Sequence, residues 1–577
     1  MIKKLASSIR EYKWLAMLTP LLMVGEVYFE IMIPYYMADL IDLGIEAGNM
    51  AEIRSIGLRL AVMALCSMMC GTLAAVTASK ASAGFASNLR SDIFHRVQDF
   101  SFSNIDHISA SGLVTRMTTD VTNVQMAFSM LLRMAFRAPA TLIFAGIMVF
   151  RINHSLASVI FYVLPVLAIG ILLISKGAFK WFRRMFDIYD KLNSVVQENV
   201  RGIKVVKAFV REKDEIEKFS GVAGDLYTTN MRAETIMAFM SPLMNICLYG
   251  CMLIISWLGA KLIVSGSLTT GLLMSFINYV MQILMSLMML SGIMVMMTMS
   301  GAAAKRISEV FGEQPEIVNG ADPVREMADS SIVFENVSFA YGDGGNCLED
   351  ISFRIEAGMT VGIIGGTGSG KTSLVQLIPR LYDAGSGRVL VGGTDVRDYD
   401  LNVLRKNVSM VLQKNILFSG SVADNLRWGK EDATEEEMWR ALEMAQAKDF
   451  ISSFEGGLDY WIEQGGSNVS GGQRQRLCIA RALISEPKIL ILDDSTSAVD
   501  THTESLIRKA FREEMPELTK LIIAQRISSV QDADMIIVLD NGRISGMGRH
   551  DELLETNEIY REVYESQTKG GDFDEPS

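Results

Sequence analysis

Six long apolar runs occupy the first half of the chain, at about 15–37, 58–77, 131–150, 156–174, 236–258 and 270–297. Each is close to the ~20 residues a helix needs to cross ~30 Å of hydrocarbon. None shows the polar stripe of a soluble amphipathic helix, so the pattern predicts six transmembrane helices. The connections at 80–129 and 176–235 are far longer than ordinary loops yet poor in Pro and Gly. Stretches such as KLNSVVQENVRGIKVVKAFVREKDEIEKF read as helices continuing beyond the spans. After the polar GEQPEIVNGADPVREMADSS the period changes to short β-branched runs between helices: SIVFENVSF, MTVGIIG, KILILDD, KLIIAQR and ADMIIVLD. That alternation predicts an α/β domain with a largely parallel sheet. The expected organisation is multidomain: an all-α membrane domain at 1–312, a linker at 313–330, an α/β domain at 331–566 and an acidic tail at 567–577.

Composition agrees with a chain partly in lipid. Of 577 residues, 49% are hydrophobic and 21% charged, whereas soluble domains are about one quarter charged. Twenty-nine of the 37 methionines precede Val310, in keeping with an apolar helical half. The net charge of −12 argues against wholesale nucleic-acid binding; it leaves room for a nucleotide, held by local backbone donors and a few cations. Six cysteines do not make a disulfide framework. Cys66 and Cys70, like Cys247 and Cys251, are spaced four apart in apolar runs and read as packing residues.

Charge sets the expected orientation. Lys3, Lys4, Arg10 and Lys13 precede the first run, and Asp39, Asp42, Glu46 and Glu52 follow it. The two long connections carry Lys80, Arg90, Arg96 and Arg116, then Lys180, Arg183, Arg184, Lys191, Arg201, Lys204 and Lys207. Both termini and both long connections are therefore expected in the cytoplasm. The first run is too long for a signal peptide and no A-x-A site closes it, so it reads as an uncleaved anchor. A multi-pass protein of a bacterial plasma membrane is the expectation.

Three motifs carry chemistry. GGTGSGKT at 365–372 follows an apolar strand and opens a helix, the context that defines a P-loop. Gly365, Gly366, Thr367, Gly368, Ser369 and Gly370 let backbone N–H groups face phosphate oxygens, Lys371 reaches the β- and γ-phosphates, and Thr372, followed by Ser373, offers a hydroxyl to Mg²⁺. KILILDD ends in Asp493, placed for the magnesium shell, and Asp494, where a base for an attacking water would sit. VSGGQ at 469–473 opens a second anion-binding helix terminus. One nucleotide does not need two phosphate cradles, so the second reads as serving a nucleotide bound by a partner.

This ordered set resembles the ATP-binding cassette (ABC) exporters of the half-transporter type over essentially the whole chain. The resemblance identifies the P-loop as Walker A, ILILDD as Walker B and Ser470, Gly471, Gly472 and Gln473 as the signature that completes the partner's ATP site. It implies that Gln413 is the Q-loop glutamine (a further Mg²⁺ contact), Tyr341 the adenine-stacking aromatic, and Ser497, Ala498 and Asp500 the D-loop. SASGLVTRMTTDV and ENVRGIKVVKAFVRE resemble the cytoplasmic connections whose short coupling helices dock on the cassettes. Two positions depart from the family pattern. The hydrolytic Glu is replaced by Asp494, and the γ-phosphate His by Gln525. The Asp carboxylate is one methylene shorter, and an amide cannot become cationic as imidazole can. The expectation is a catalytically weak site in a heterodimer, with Glu and His supplied by a second half-transporter, as in bacterial heterodimeric multidrug exporters.

Four charges fall inside spans: Glu26 and Glu30 in the first, Arg133 and Arg137 in the third. Such groups are costly in lipid and face partners or cavities. They read either as a clamp between helices or as a site for cationic amphipathic substrates. Hydrophobic or amphipathic compounds are the expected cargo in either case. A lipid or peptide exporter, and an ATP-gated channel or regulator, are the alternatives.

Overall fold

The computed structural model describes residues 2–342, 344–494 and 499–569. The chain forms two compact units: 1–98 with 111–312, and 99–110 with 313–577.

Among the described residues, the first unit contains six helical segments long and apolar enough to cross a membrane. Its main helices are α1 (Lys13–Asp39), α2 (Met50–Gln98), α3 (Val121–Ile152), α4 (His154–Ala208), α5 (Glu212–Ala238), α6 (Met240–Val264) and α7 (Thr270–Gly312). The long polar connections are helical, as their composition suggests. Helix α4 runs for 55 residues, about 80 Å at 1.5 Å per residue. The fifth apolar run lies within a helical segment spanning Glu212–Val264, interrupted only at Phe239, whose backbone keeps helical angles. Pro242 lies in the first turn of α6, where a missing N–H costs least.

Polar groups fix helix pairs within this unit. The Asp42 carboxylate accepts from Gly271 N (2.8 Å) and Thr269 Oγ1 (2.5 Å), capping α7. Tyr279 is fully buried and its hydroxyl donates to the Ile31 carbonyl (2.7 Å), close to Pro34 within α1. Arg306 Nε donates to the buried Asp120 (2.7 Å), joining α7 to the start of α3.

Beside a two-stranded ribbon that pairs Gly420–Ser421 with Trp461–Ile462, the second unit holds two larger sheets. The strands are β1 (Ile332–Phe339), β2 (Leu348–Ile355), β3 (Thr360–Gly365), β4 (Ser386–Val391), β5 (Thr394–Asp395), β6 (Val408–Val411), β7 (Ile489–Asp493), β8 (Thr519–Ile523), β9 (Met535–Asp540) and β10 (Arg543–Gly548). An antiparallel sheet has the order β2-β1-β4-β5. The larger sheet has the order β10-β9-β3-β8-β7-β6 and is parallel except for β9–β10. Every residue of β7 and β8 is buried, which explains their near-continuous apolar sequence. Apolar side chains on one face of the large sheet pack with the small sheet; those on the other pack under the helices of 422–564.

The segment 99–110, which sequence places in the membrane half, packs as part of this second unit. Its short helix Phe102–Ile108 is held by Asn104, whose Nδ2 donates to Glu313 Oε1 (2.8 Å) and to the Gln314 carbonyl (3.0 Å).

Candidate functional site: a P-loop at the carboxyl edge of the sheet

Strand β3 ends at Gly365, and the loop 366–370 leads into the helix Lys371–Gln376. Gly368 and Gly370 have φ of +83° and +95°, a backbone region that side chains other than glycine rarely enter. A Cβ on Gly365 would lie 2.2 Å from the Leu539 carbonyl, so the strand end tolerates no side chain. Gly366 and Gly368, by contrast, border open space. Gly366, Thr367 and Gly368 are exposed, whereas Ser369 is buried. Such a loop has room for phosphate oxygens beside its backbone N–H groups.

Lys371 Nζ donates to the carbonyls of Gly365 and Gly366, both at 2.8 Å. Burial pushes its ammonium below the ordinary range, opposed by the carboxylates of Asp493 and Asp494. Thr372 Oγ1 donates to Asp493 Oδ1 at 3.1 Å. Asp493 is 2% exposed; burial raises its pKa, the Thr372 hydroxyl opposes this, and Asp494 adds to it. A hydroxyl beside a buried carboxylate is the hard-oxygen pair that suits Mg²⁺, whose other ligands are usually phosphate and water. Among the described residues no cluster of three His, Cys, Asp or Glu side chains forms a self-sufficient metal site.

Asp494 follows β7 with φ of +49°. Its backbone N–H donates to the Ile523 carbonyl (3.1 Å), and its carbonyl accepts from Gln475 Nε2 (3.3 Å). Its side chain accepts from Gln525 Nε2 at 2.7 Å. Burial raises the Asp494 pKa, and the Gln525 and Gln413 amides, with Lys371 and Arg526, hold it down. Tyr341 is half-exposed; its hydroxyl meets Ser373 Oγ (3.0 Å) and donates to Gln376 Oε1 (3.1 Å) on the P-loop helix.

The structure thus joins Thr372 to Asp493 and Gln525 to Asp494 by direct hydrogen bonds, with Lys371 at the start of the helix that carries Thr372 and Tyr341 anchored to that helix. The signature residues are elsewhere on the unit. Ser470 caps the helix Gly471–Leu483, accepting from Gln473 N (3.3 Å) while its own N–H donates to Gln473 Oε1 (2.9 Å). Ser470 and Gly471 are exposed at that helix start. Asp500 caps the helix Thr501–Glu514 through Thr503 N (2.9 Å); Ser497 and Ala498 lie outside the described residues.

Sequence reasoning missed two residues. Gln475 is buried and holds the Asp494 carbonyl; its place two residues beyond Gln473 was the available signal. Tyr382 packs edge-on against Tyr341, ring centroids 5.1 Å apart, and donates its O–H to Asp106 Oδ2 at 2.6 Å. No local pattern marks it.

Of the intramembrane charges, Arg137 bridges Glu26 (2.6 Å) and Glu30 (2.7 Å). Arg133 stands outside this bridge, and its Nε is buried without a hydrogen-bond partner.

Six spans joined to a P-loop domain define a membrane transporter driven by ATP. The ABC transporter transmembrane region family matches residues 16–287, and the ABC transporter family matches 348–497. The chain belongs to the ABC transporters, as an exporter half-transporter with its membrane domain fused to its ATP-binding domain. It is 34% identical to the Uncharacterized ABC transporter ATP-binding protein YfiB of Bacillus subtilis (strain 168), over 98% of each chain. It is also 34% identical to the ATP-dependent lipid A-core flippase of Desulfotalea psychrophila, over 83% of this chain and 84% of that one. A bacterial Atm1-family ABC exporter solved with ATP bound has the same fold, with TM-score 0.82, 23% identity, and coverage of 97% of this chain and 99% of that one.

Proposed function

We propose that this chain is one half of a heterodimeric exporter that moves amphipathic drugs or similar hydrophobic compounds outward across a bacterial plasma membrane. Its own ATP site turns over weakly, and its signature completes the partner's productive site. The observation that carries this reading is the 2.7 Å hydrogen bond from Gln525 to Asp494. The two departures from the family pattern are one contact, so they act on one event. The Asp494 carboxylate is shorter than Glu and is already engaged by the Gln525 amide. Displacing a reacting atom by about 1 Å can cost on the order of 10²-fold.

In this reading Lys371 and the loop N–H groups hold the triphosphate, Tyr341 supports the adenine, and Gln413 reports occupancy to the membrane half. Mg²⁺, held near Thr372, Asp493 and Gln413, supplies charge neutralisation at the phosphates. Ser470, Gly471, Gly472 and Gln473, with the D-loop residues Ser497, Ala498 and Asp500, face the partner's nucleotide. Steady-state ATPase of the purified pair tests the asymmetry. Asp494→Asn is expected to lower turnover only a few-fold, whereas replacing the partner's catalytic Glu lowers it 10²-fold or more, at least ~2.7 kcal/mol of barrier. Equal losses would make Asp494 a working base and end the reading.

A lipid cargo is the second reading, favoured by the likeness to a lipid A-core flippase. Transfer of a fluorescent lipid between leaflets of proteoliposomes, against uptake of a cationic dye, separates the two.

A further inference from the structure

At the end of the large sheet opposite the P-loop, the second unit has a polar cavity of about 400 Å³. Lys520 lines it from β8, where it pairs with Thr360 at the start of β3. This strand is buried throughout, and Lys520 is only 5% exposed. A lysine is the wrong residue for such a strand unless its ammonium has an acceptor. Its one hydrogen bond is long, 3.4 Å to the Met515 carbonyl, and among the described residues no carboxylate lies within ion-pair distance of it.

The cavity wall holds a second cation with an unmatched donor. Arg508 Nη1 donates to the Ser528 carbonyl (2.9 Å) and lies 3.7 Å from Asp532 Oδ2, but its Nε is buried with no acceptor. Arg512 lines the same space. The nearby acid Asp534 is occupied, accepting from Thr360 N at 2.8 Å. Burial pushes the Lys520 ammonium below its usual range, Asp534 opposes this, and Arg512 adds to it. Buried donors with poor or missing acceptors are costly; one polar space is bordered by an ammonium with a single long hydrogen bond and a guanidinium whose Nε has no acceptor.

We propose that this cavity is a second anion site on the cassette, taking a phosphate group on inorganic phosphate or a small phosphomonoester. Its oxygens accept from Lys520 Nζ and from the guanidinium groups of Arg508 and Arg512 that line the cavity. Guanidinium forks match tetrahedral oxyanions, and the volume accommodates a small organic group beyond the phosphate. The position matters for the ATP site. Lys520 is the second residue of the strand whose continuation carries Gln525, and Arg508 belongs to the helix capped by Asp500. A bound anion braces that helix against that strand at their far ends. The inference does not depend on the heterodimer reading.

The test uses the full-length transporter in lipid nanodiscs, with the P-loop lysine of both protomers replaced (Lys371→Ala here) so that neither P-loop contributes. Its Tm is measured in sodium phosphate, in glycerol 3-phosphate, and in sodium chloride at matched ionic strength. Both phosphates are expected to raise Tm by several degrees over chloride. Lys520→Met is expected to melt no lower than its parent in chloride and to lose the phosphate response; Arg508→Gln, the second variant, weakens it. A larger rise with glycerol 3-phosphate assigns the phosphomonoester, and an equal rise assigns inorganic phosphate. No rise beyond chloride, or a rise unchanged in both variants, overturns the site.

Discussion

Gln525 and Asp494 meet because β7 and β8 are parallel neighbours in register. Asp493 pairs with Ile523, so the residues just past both strand ends emerge at one edge of the sheet, beside the P-loop that follows β3. The amide of Gln525 then reaches the carboxylate of Asp494. In the proposed reading this contact presents a neutral donor to a short carboxylate. Asp494→Glu alone is therefore expected to leave turnover low, because Gln525 still holds the carboxylate. Asp494→Glu with Gln525→His is expected to exceed either single change in ATPase measured on a pair whose partner Glu is inactivated. Equal rates for single and double variants would dissolve the coupling.

The phosphate cradle predicts binding independent of turnover. Lys371→Ala removes the one ammonium inside the loop, leaving backbone donors and Thr372. Labelling of this subunit by a photoreactive ATP analogue is expected to fall by at least tenfold, ~1.4 kcal/mol or more. Undiminished labelling would place the nucleotide elsewhere.

The six spans and the cassette strands were readable because burial imposes distinct periods: continuous apolar runs in lipid, and short β-branched runs in a sheet covered on both faces. The P-loop was readable because its glycines answer a local backbone demand, as Gly368 and Gly370 show. What escaped depended on contacts between distant residues. The membership of 99–110 in the cassette unit rests on Asn104 meeting Glu313, and the role of Tyr382 on its meeting Tyr341 and Asp106. Lys520 was hidden for the opposite reason: KLIIAQR reads as a strand whether or not its lysine is buried.

Tyr382 joins the aromatic beside the P-loop helix to the short helix Phe102–Ile108, whose Phe102 also packs on it (6.1 Å). Tyr382→Phe keeps the rings and removes the donor to Asp106. Its KM for ATP is expected to stay within about twofold while kcat falls several-fold, consistent with loss of ~1 kcal/mol from a hydrogen bond. Tyr382→Ala also strips packing from Tyr341 and is expected to raise KM for ATP. Parental kinetics in Tyr382→Phe would show that the Asp106 contact transmits nothing.

The orientation expected from the distribution of Lys and Arg has a direct check. Glu46 and Lys204 are both exposed on the first unit. Cysteines placed there singly, in a background lacking the six native cysteines, are expected to react with an impermeant thiol reagent from opposite sides: Glu46→Cys in intact cells, Lys204→Cys only in inverted vesicles. Reaction of both from outside would require a different number of crossings.

Arg137 answers two carboxylates at once, at 2.6 and 2.7 Å, between α3 and α1. A Cβ on Gly71 of α2 would lie 3.0 Å from the Glu26 carboxylate, so a third helix closes over the bridge. This geometry suits a clamp, because the guanidinium is committed on both sides. Arg137→Ala leaves two acids unpaired inside a span and is expected to lower the thermal stability of the membrane domain. Neutralising all three, with Glu26→Gln, Glu30→Gln and Arg137→Gln, is expected to recover most of that stability, since no charge is left stranded. Thermal unfolding of each variant in detergent measures the first part. Uptake of a cationic dye into inverted vesicles measures the second: a clamp predicts that the stable triple variant still transports. A triple variant that recovers its stability and loses uptake would instead make the carboxylates part of the substrate site.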